Sequence, residues 1–289
     1  MSKILILGST GMLGSAVKRQ ITGSALAVVT ASRTSGIRFD ASELESAKLL
    51  EDAGLGKGDW VINCVGLTKS RIDETSMKSR ANAVRLNFDF PTDLATAAGN
   101  KEVKVIQVAT DCVFSGKAGG YNEDSPHDAK DVYGKTKSLG EVPASNVMHL
   151  RCSLIGPEQG RNSLFFEWVR QQEQGASISG YTNHLWNGLT SDAFGKIVGA
   201  LITNGLFGAG VQHLVPADTV TKDELVRLEL KALGRKDVGV TSVEAPTAID
   251  RTLTTDNAGL NTDLFMAAGF KELPTISEMV EQTCHELTN

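Results

Sequence analysis

The chain has 289 residues, 41% hydrophobic and 22% charged, with a net charge of −5; it is long enough for one large α/β domain or a main domain plus a smaller one. That balance gives no electrostatic basis for binding nucleic acid, no apolar run approaches the ~20 residues that span a bilayer, and no signal-peptide layout is present. A cytoplasmic protein without a membrane or nucleic-acid partner is therefore expected. Four widely spaced cysteines (Cys64, Cys112, Cys152, Cys284) and five histidines lack CxxC or metal-ligand spacing, so reduced thiols and no metal are expected.

The first predicted element is the apolar run Ile4-Leu5-Ile6-Leu7, a buried strand. Gly8-Ser9-Thr10-Gly11-Met12-Leu13-Gly14 follows, and then Leu13, Ala16, Val17 and Ile21 recur at helical spacing. Strand, glycine-rich turn and helix in that order bring backbone N–H groups and a helix dipole against a pyrophosphate. The spacing is GxxGxxG, not the GxGxxG of the general dinucleotide fingerprint, and glycine at such a place also serves as a plain turn. Gly8, Thr10, Gly11, Met12, Leu13 and Gly14 are the first candidate cofactor residues.

Further strand-like runs cover Ala25–Ala31, Trp60–Val65, Val103–Ala109 and Val147–Leu154. They alternate with helical stretches near 41–53, 77–98, 134–142, 191–204, 221–233 and 275–287. Pro91 predicts a kink or boundary within 77–98, and Thr221-Lys222-Asp223-Glu224 is a capping-box start. This order predicts a doubly wound, Rossmann-like parallel sheet with its ligand crevice at the carboxyl ends of the strands. Residues 1–155 are expected to form the dinucleotide-binding domain. Residues 156–289 are expected to be mainly a smaller substrate-binding part, with elements at about 191–233 returning to the main domain.

The end of the second strand discriminates between nicotinamide cofactors: an acid there suits the ribose 2′-OH, an arginine the 2′-phosphate. Here Ser32-Arg33-Thr34-Ser35 follows the strand and no acid appears until Asp40. Arg33 thus favours NADPH, with NADH open if Arg33 is only a solvated loop residue. Asp40 suits either the adenine amino group or a helix N-cap. Asn63-Cys64-Val65-Gly66 closes the third core strand, where backbone must approach the cofactor.

Tyr133-Gly134-Lys135-Thr136-Lys137 contains YxxxK, which on a helix turns Tyr133 and Lys137 to one face. A free phenol, with pKa near ~10, is a poor acid–base catalyst at neutrality. A neighbouring ammonium and an oxidised nicotinamide both favour tyrosinate, and a three-unit shift needs roughly 4 kcal/mol. Thr110, at the end of an apolar strand, can hold a substrate oxygen.

These segments resemble the extended short-chain dehydrogenases/reductases, in particular their dTDP-4-dehydrorhamnose reductase-like branch. Thr110-Asp111-Cys112-Val113-Phe114-Ser115-Gly116 is similar to that branch's TDxVFxG. Tyr133–Lys137 with Gly140-Glu141 resembles YGxxKxxGE, and Leu150-Arg151-Cys152-Ser153 resembles LRxS. The likeness is continuous over about 3–157 and looser through His213-Leu214-Val215 and Lys222–Leu225. It implies Thr110, Tyr133 and Lys137 as the catalytic set, Tyr133 being the proton donor. It also implies Asn87 as the residue ordering a relay water beside the lysine. Hydride would pass to C4 of a nucleotide-linked 4-keto-6-deoxysugar, for surface polysaccharide synthesis. Sugar-nucleotide 4,6-dehydratases carry an Asp-Glu pair after the threonine. Asp111-Cys112 lacks the second carboxyl, so dehydration is not expected. Reductases of the branch more often carry an aromatic residue where Cys112 stands.

Substrate contacts are expected from Thr110, Asp111, Cys112, Leu154, Trp186 and Arg251. Trp186 lies in the polar and aromatic run Gly180–Thr190, where stacking on a base or sugar and simple core packing remain alternatives. Arg251 offers a guanidinium to a pyrophosphate or to a surface ion pair. An epimerase sharing the same three residues, and a non-catalytic NADP-binding regulator, are the competing functions. The resemblance permits a homodimer.

Overall fold

The computed structural model describes residues 2–22, 26–158 and 164–288; Ala25, the first residue of one predicted strand, lies outside them. In chain order the elements begin with β1 (Lys3–Leu7), α1 (Met12–Ile21), β2 (Ala27–Ser32), β3 (Ile37–Arg38), α2 (Ser46–Asp52) and β4 (Trp60–Asn63). They continue with α3 (Met77–Val84), α4 (Phe90–Gly99), β5 (Lys104–Ala109), α5 (Val132–Leu139) and β6 (Val147–Arg151). The rest comprises β7 (Leu154–Ile155), α6 (Phe165–Arg170), β8 (Ser177–Tyr181), β9 (His184–Trp186), β10 (Leu189–Thr190), α7 (Ser191–Asn204) and β11 (Gly210–His213). β12 (Val220–Thr221), α8 (Lys222–Ala232), β13 (Gly239–Val243), β14 (Ile249–Asp250), α9 (Ala258–Ala267) and α10 (Ile276–Thr288) complete it.

Seven strands form the central sheet in the order β11-β6-β5-β4-β1-β2-β3, and every neighbouring pair is parallel. Alternation places Ile4 and Ile6 in one hydrophobic cluster and Leu5 and Leu7 in the other, so β1 is apolar throughout because both faces are covered. Val17 and Ile21 of α1 share the first cluster with Ile197 and Leu201 of α7. Leu49 of α2 and Leu94 of α4 close the opposite face. The register sets Leu7 beside Asn63, Asn63 beside Gln107, Ala109 beside Arg151 and Arg151 beside His213. The carboxyl ends of five strands thereby share one edge.

Pro91 sits in the first turn of α4, preceded by a π-helical segment, Arg85–Asp89. Proline has no N–H for the carbonyl of Asn87, and the helix widens there instead of stopping. Thr221 and Glu224 form the expected capping box at the start of α8. β11 is a strand that apolar patterning does not reveal, since its buried residues are Gln212 and His213. The remaining strands make small sheets: β10-β7 and β12-β9-β14 put Ile155, Trp186, Leu189 and Val220 into the first cluster, and β13-β8 lies over a minor core of Val169, Ile178, Val226, Leu230 and Val238. Among the described residues no helix is long and apolar enough to cross a membrane.

Candidate active site

Gly8 leaves β1 with φ +71°, a left-handed conformation, and donates its N–H to the carbonyl of Ala31 (3.2 Å). Gly11 donates to the Gly8 carbonyl (2.9 Å) and is the N-cap of α1, with no side-chain cap. A Cβ on Gly14 would overlap that same carbonyl, so the turn can lie flat on the helix only with glycine there. The first turn of α1 carries no acidic residue, and its unpaired N–H groups are the positive end of the helix dipole. Thr10, Gly11, Met12 and Leu13 line a cavity of about 1050 Å³.

The next stretch of wall is the loop from Cys64 to Arg71. Two buried asparagines shape it from behind. Asn63 accepts from the Val65 N–H (3.0 Å) and donates to Gln107 (2.8 Å) on the neighbouring strand. Asn87 accepts from the Leu67 N–H (2.8 Å) and donates to the Leu67 carbonyl and to Thr136 Oγ1 (3.1 and 3.2 Å). The Asn87 carboxamide thus ties the π segment to the loop and to α5, and is 1% exposed, away from the cavity lining. Burial pushes the Cys64 thiol up to about 12, so it stays neutral.

Thr110, Asp111, Cys112, Tyr133 and Lys137 meet on the opposite wall. Thr110 follows β5 directly and caps the turn after it, accepting from the Cys112 N–H (3.2 Å) and donating to Asp111 Oδ1 (3.2 Å). Asp131 caps α5 by accepting from the Gly134 N–H (2.8 Å), and also accepts from Lys69 Nζ (2.8 Å). One turn further along α5, Lys137 Nζ donates to the Val108 carbonyl (2.8 Å). Burial brings that ammonium down to about 8, opposed by Glu141. Burial also pushes the Tyr133 phenol above its ordinary value, reinforced by Cys112, Asp111 and Asp131; the Thr110 hydroxyl acts the other way. The expected lowering of the phenol is therefore absent from the protein alone. Lys137 spends its hydrogen bond on the strand, and the nearby carboxylates disfavour a second negative charge.

The motif residues Glu141 and Arg151 do not reach the cavity. They form an ion pair beneath it, with Arg151 1% exposed. Arg151 also donates to His213 Nε2 (2.7 Å) and His127 Nε2 (2.9 Å) and lies over the Phe114 ring (5.2 Å). With Nε2 an acceptor, His127 Nδ1–H donates to Ser138 Oγ (2.7 Å) and His213 Nδ1–H to the Thr254 carbonyl (2.7 Å). Burial lowers both histidines. They are neutral braces, not acids.

At the far end of the cavity stand Asp111, Cys112, Ser153, Leu154, Glu158 and Leu164. Burial pushes the Cys112 thiol up to about 12, as for a packing side chain. Trp186 is 4% exposed behind this wall, its Nε1 donating to Ser153 Oγ (2.8 Å). Arg251 donates to the carbonyls of Phe114 (2.8 Å) and Ser115 (3.4 Å), so it clamps the segment after Thr110 from outside the lining. Asp40 caps the short turn after β3, accepting from the Ser42 N–H (3.0 Å). Arg33 is exposed just beyond β2 and neither it nor Asp40 lines the cavity. Lys69, Ser70, Arg71, Glu158 and Leu164 escaped sequence reasoning, having no periodicity or motif to mark them, and Ser153 was named only as part of LRxS, with no site role. Among the described residues no group of three His, Cys, Asp or Glu could hold a metal.

Fold and side chains together define a dinucleotide-fold protein of the extended short-chain dehydrogenase/reductase type. The family profile described as the RmlD substrate binding domain matches residues 2–289, and the chain belongs to that family. A probable low-salt glycan biosynthesis reductase, Agl14, of Haloferax volcanii is 27% identical over 237 residues, 76% of each chain. A dTDP-4-dehydrorhamnose reductase of Streptomyces griseus is 31% identical over 145 residues, 50% of this chain and 45% of that protein. Of solved structures, the Bacillus anthracis dTDP-4-dehydrorhamnose reductase in complex with NADP aligns with a TM-score of 0.79 at 18% identity, covering 99% of this chain and 100% of the other. That last likeness shows the fold.

Proposed function

We propose that this protein is an NADPH-dependent reductase of the 4-keto group of a nucleoside-diphosphate 4-keto-6-deoxysugar, supplying a precursor of surface polysaccharide. The observation that carries this reading is one cavity walled by the Gly8–Gly14 turn on one side and by Thr110, Tyr133 and Lys137 on the other. The turn fits a dinucleotide: Gly8 and Gly14 let it fold closely onto Cys64 and onto α1, Gly11 puts no side chain into the lining, and no acidic residue lies in the first turn of α1. Residues 10–13 would hold the pyrophosphate, the 64–67 backbone would lie along the nicotinamide half, and Arg33 would meet a 2′-phosphate, NADH being the weaker choice. When bound, the nicotinamide supplies the hydride.

Thr110 Oγ1 would hold the substrate carbonyl oxygen, and the Tyr133 phenol would give that oxygen its proton. Lys137, charged below about pH 8, favours the phenolate left behind. Cys112, neutral and lacking a carboxyl, supplies no base for elimination. The experiment mixes protein and NADPH with dTDP- and UDP-linked 4-keto-6-deoxysugars and follows the nicotinamide absorbance. Rapid oxidation with one of them is expected and names the base. Saturable NADPH binding with no oxidation by any of them defeats the reading and favours a cofactor-binding regulator.

A further inference from the structure

Two basic side chains of the cavity wall have no part in the chemistry above. Lys69 and Arg71 lie on a single 3₁₀ turn with Ser70 between them, and all three line the cavity. The turn is closed by its own backbone, the Arg71 N–H donating to the Thr68 carbonyl (3.0 Å) and the Ile72 N–H to the Lys69 carbonyl (3.1 Å). Before it, buried Asn87 grips both the N–H and the carbonyl of Leu67. After it, Glu74 accepts from the Val132 N–H (3.1 Å) at the start of α5. The turn is therefore held in place relative to the helix that carries Tyr133 and Lys137.

Lys69 Nζ spends one of its three donors on Asp131, in a pair exposed enough to be exchanged at little cost. Among the described residues the exposed Arg71 guanidinium has no hydrogen-bond or ion-pair partner. The other charged groups among the described residues of the lining are Lys137, bound to the Val108 carbonyl, and the acids Asp111 and Glu158. Arg251, the guanidinium that the sequence offers to a pyrophosphate, lies outside the lining and is taken up by the Phe114 and Ser115 carbonyls. With the cofactor's pyrophosphate assigned to residues 10–13, Lys69 and Arg71 are the cations left in the lining for a second anion.

We propose that Lys69 and Arg71 form a cationic lip that anchors the diphosphate of the nucleotide-sugar substrate. Arg71 suits one phosphate through parallel N–H donors, and the Lys69 ammonium suits the other as a point charge. This rests on the reductase reading above, which sets the C4 carbonyl at Tyr133. The diphosphate hangs on C1, across the sugar ring from C4. Asp131, the partner of Lys69, caps α5 two residues before Tyr133, so the lip stands on the side of the cavity where the reacting sugar would lie.

The test is calorimetric titration of the NADP-loaded protein with dTDP, UDP and the monophosphates dTMP and UMP, beside titration of the free protein with NADPH. Arg71 is exposed and unpartnered, so Arg71→Ala should fold as wild type does. It is expected to weaken the preferred nucleoside diphosphate at least tenfold, its monophosphate by less, and NADPH by under twofold. Lys69→Met should lose a smaller factor, and Arg71→Lys should recover part of the loss. In turnover the loss should fall on KM, with kcat within twofold, as for binding made equally in ground and transition states. Unchanged diphosphate affinity in both Arg71→Ala and Lys69→Met overturns the proposal and leaves the reductase reading standing. Equal weakening of NADPH overturns it too, by putting these cations on the cofactor's own phosphates. A wild type that binds neither dTDP nor UDP overturns both the lip and the reductase reading. Arg71-dependent diphosphate binding without oxidation of NADPH by any 4-keto sugar upholds the lip and defeats the reductase.

Discussion

The wall formed by residues 10–13 and 64–67 offers main chain and small or apolar side chains, with burial holding its one thiol, Cys64, neutral. The wall around Tyr133 gathers Asp111, Lys137 and, behind it, Lys222, whose proton affinities burial has moved. The first wall consists of two short unbroken segments and works through backbone dipoles, so sterics govern it. The second is assembled from β5, α5 and α8 and works through desolvated charges, so neighbours and pH govern it. A site divided this way can grip a cofactor through backbone that does not titrate, while its chemistry remains tunable.

The largest effect should come from the titratable wall. Tyr133→Phe removes the proposed proton donor and should lower kcat about a thousandfold, within the usual range for a lost general acid, with NADPH affinity unchanged. Turnover within tenfold of wild type would erase the contrast between the walls. Next, Glu141→Gln leaves Arg151 buried without its carboxylate and should cost about 3–5 kcal/mol in urea unfolding. Because Glu141 raises Lys137, the alkaline limb of the pH–rate profile should also move to lower pH in any variant that folds.

Glu229 sharpens the contrast from below the site. It is 0% exposed, and among the described residues neither of its carboxyl oxygens has a hydrogen-bond partner. Burial, with Glu167, holds its pKa up at about 9, against the pull of Lys222. An acid raised on folding costs nothing below its unfolded value, and then costs stability as pH rises toward the folded value. Glu229→Gln should therefore match wild type in stability near pH 4.5 and exceed it increasingly to pH 8, by on the order of 1 kcal/mol per pH unit. Thermal melts across that range measure it, and parallel curves would show Glu229 already ionised in the fold. The smallest effect belongs to Arg33, which lies outside the cavity lining: Arg33→Ala should weaken NADPH relative to NADH by about tenfold, or ~1.4 kcal/mol. An unchanged ratio would make Arg33 a solvated loop residue.

The parallel sheet was legible because its strands are continuous apolar runs and its glycine turn is contiguous. α7 and the capping box of α8 were legible because periodicity and Thr221 with Glu224 are local signals. β11 was not, since a strand whose buried side chains are Gln212 and His213 has no apolar signature. The set Thr110, Tyr133 and Lys137 stood out through spacing and family resemblance. The partners of Asn87, Arg251 and Lys222 did not, because each depends on contacts across tens of residues.

What the sequence determined by itself was the order of β and α elements, the turn at Gly8–Gly14, and the identity of the candidate acid–base residues. All are set by side-chain periodicity or neighbours within a few residues. Only the tertiary structure decided that Glu141 and Arg151 brace the site from beneath and that Arg251 clamps the segment after Thr110. It alone placed Lys222 against the rings of Phe165 and Trp186. Long-range packing sets those distances, and burial then sets which of these groups carry charge.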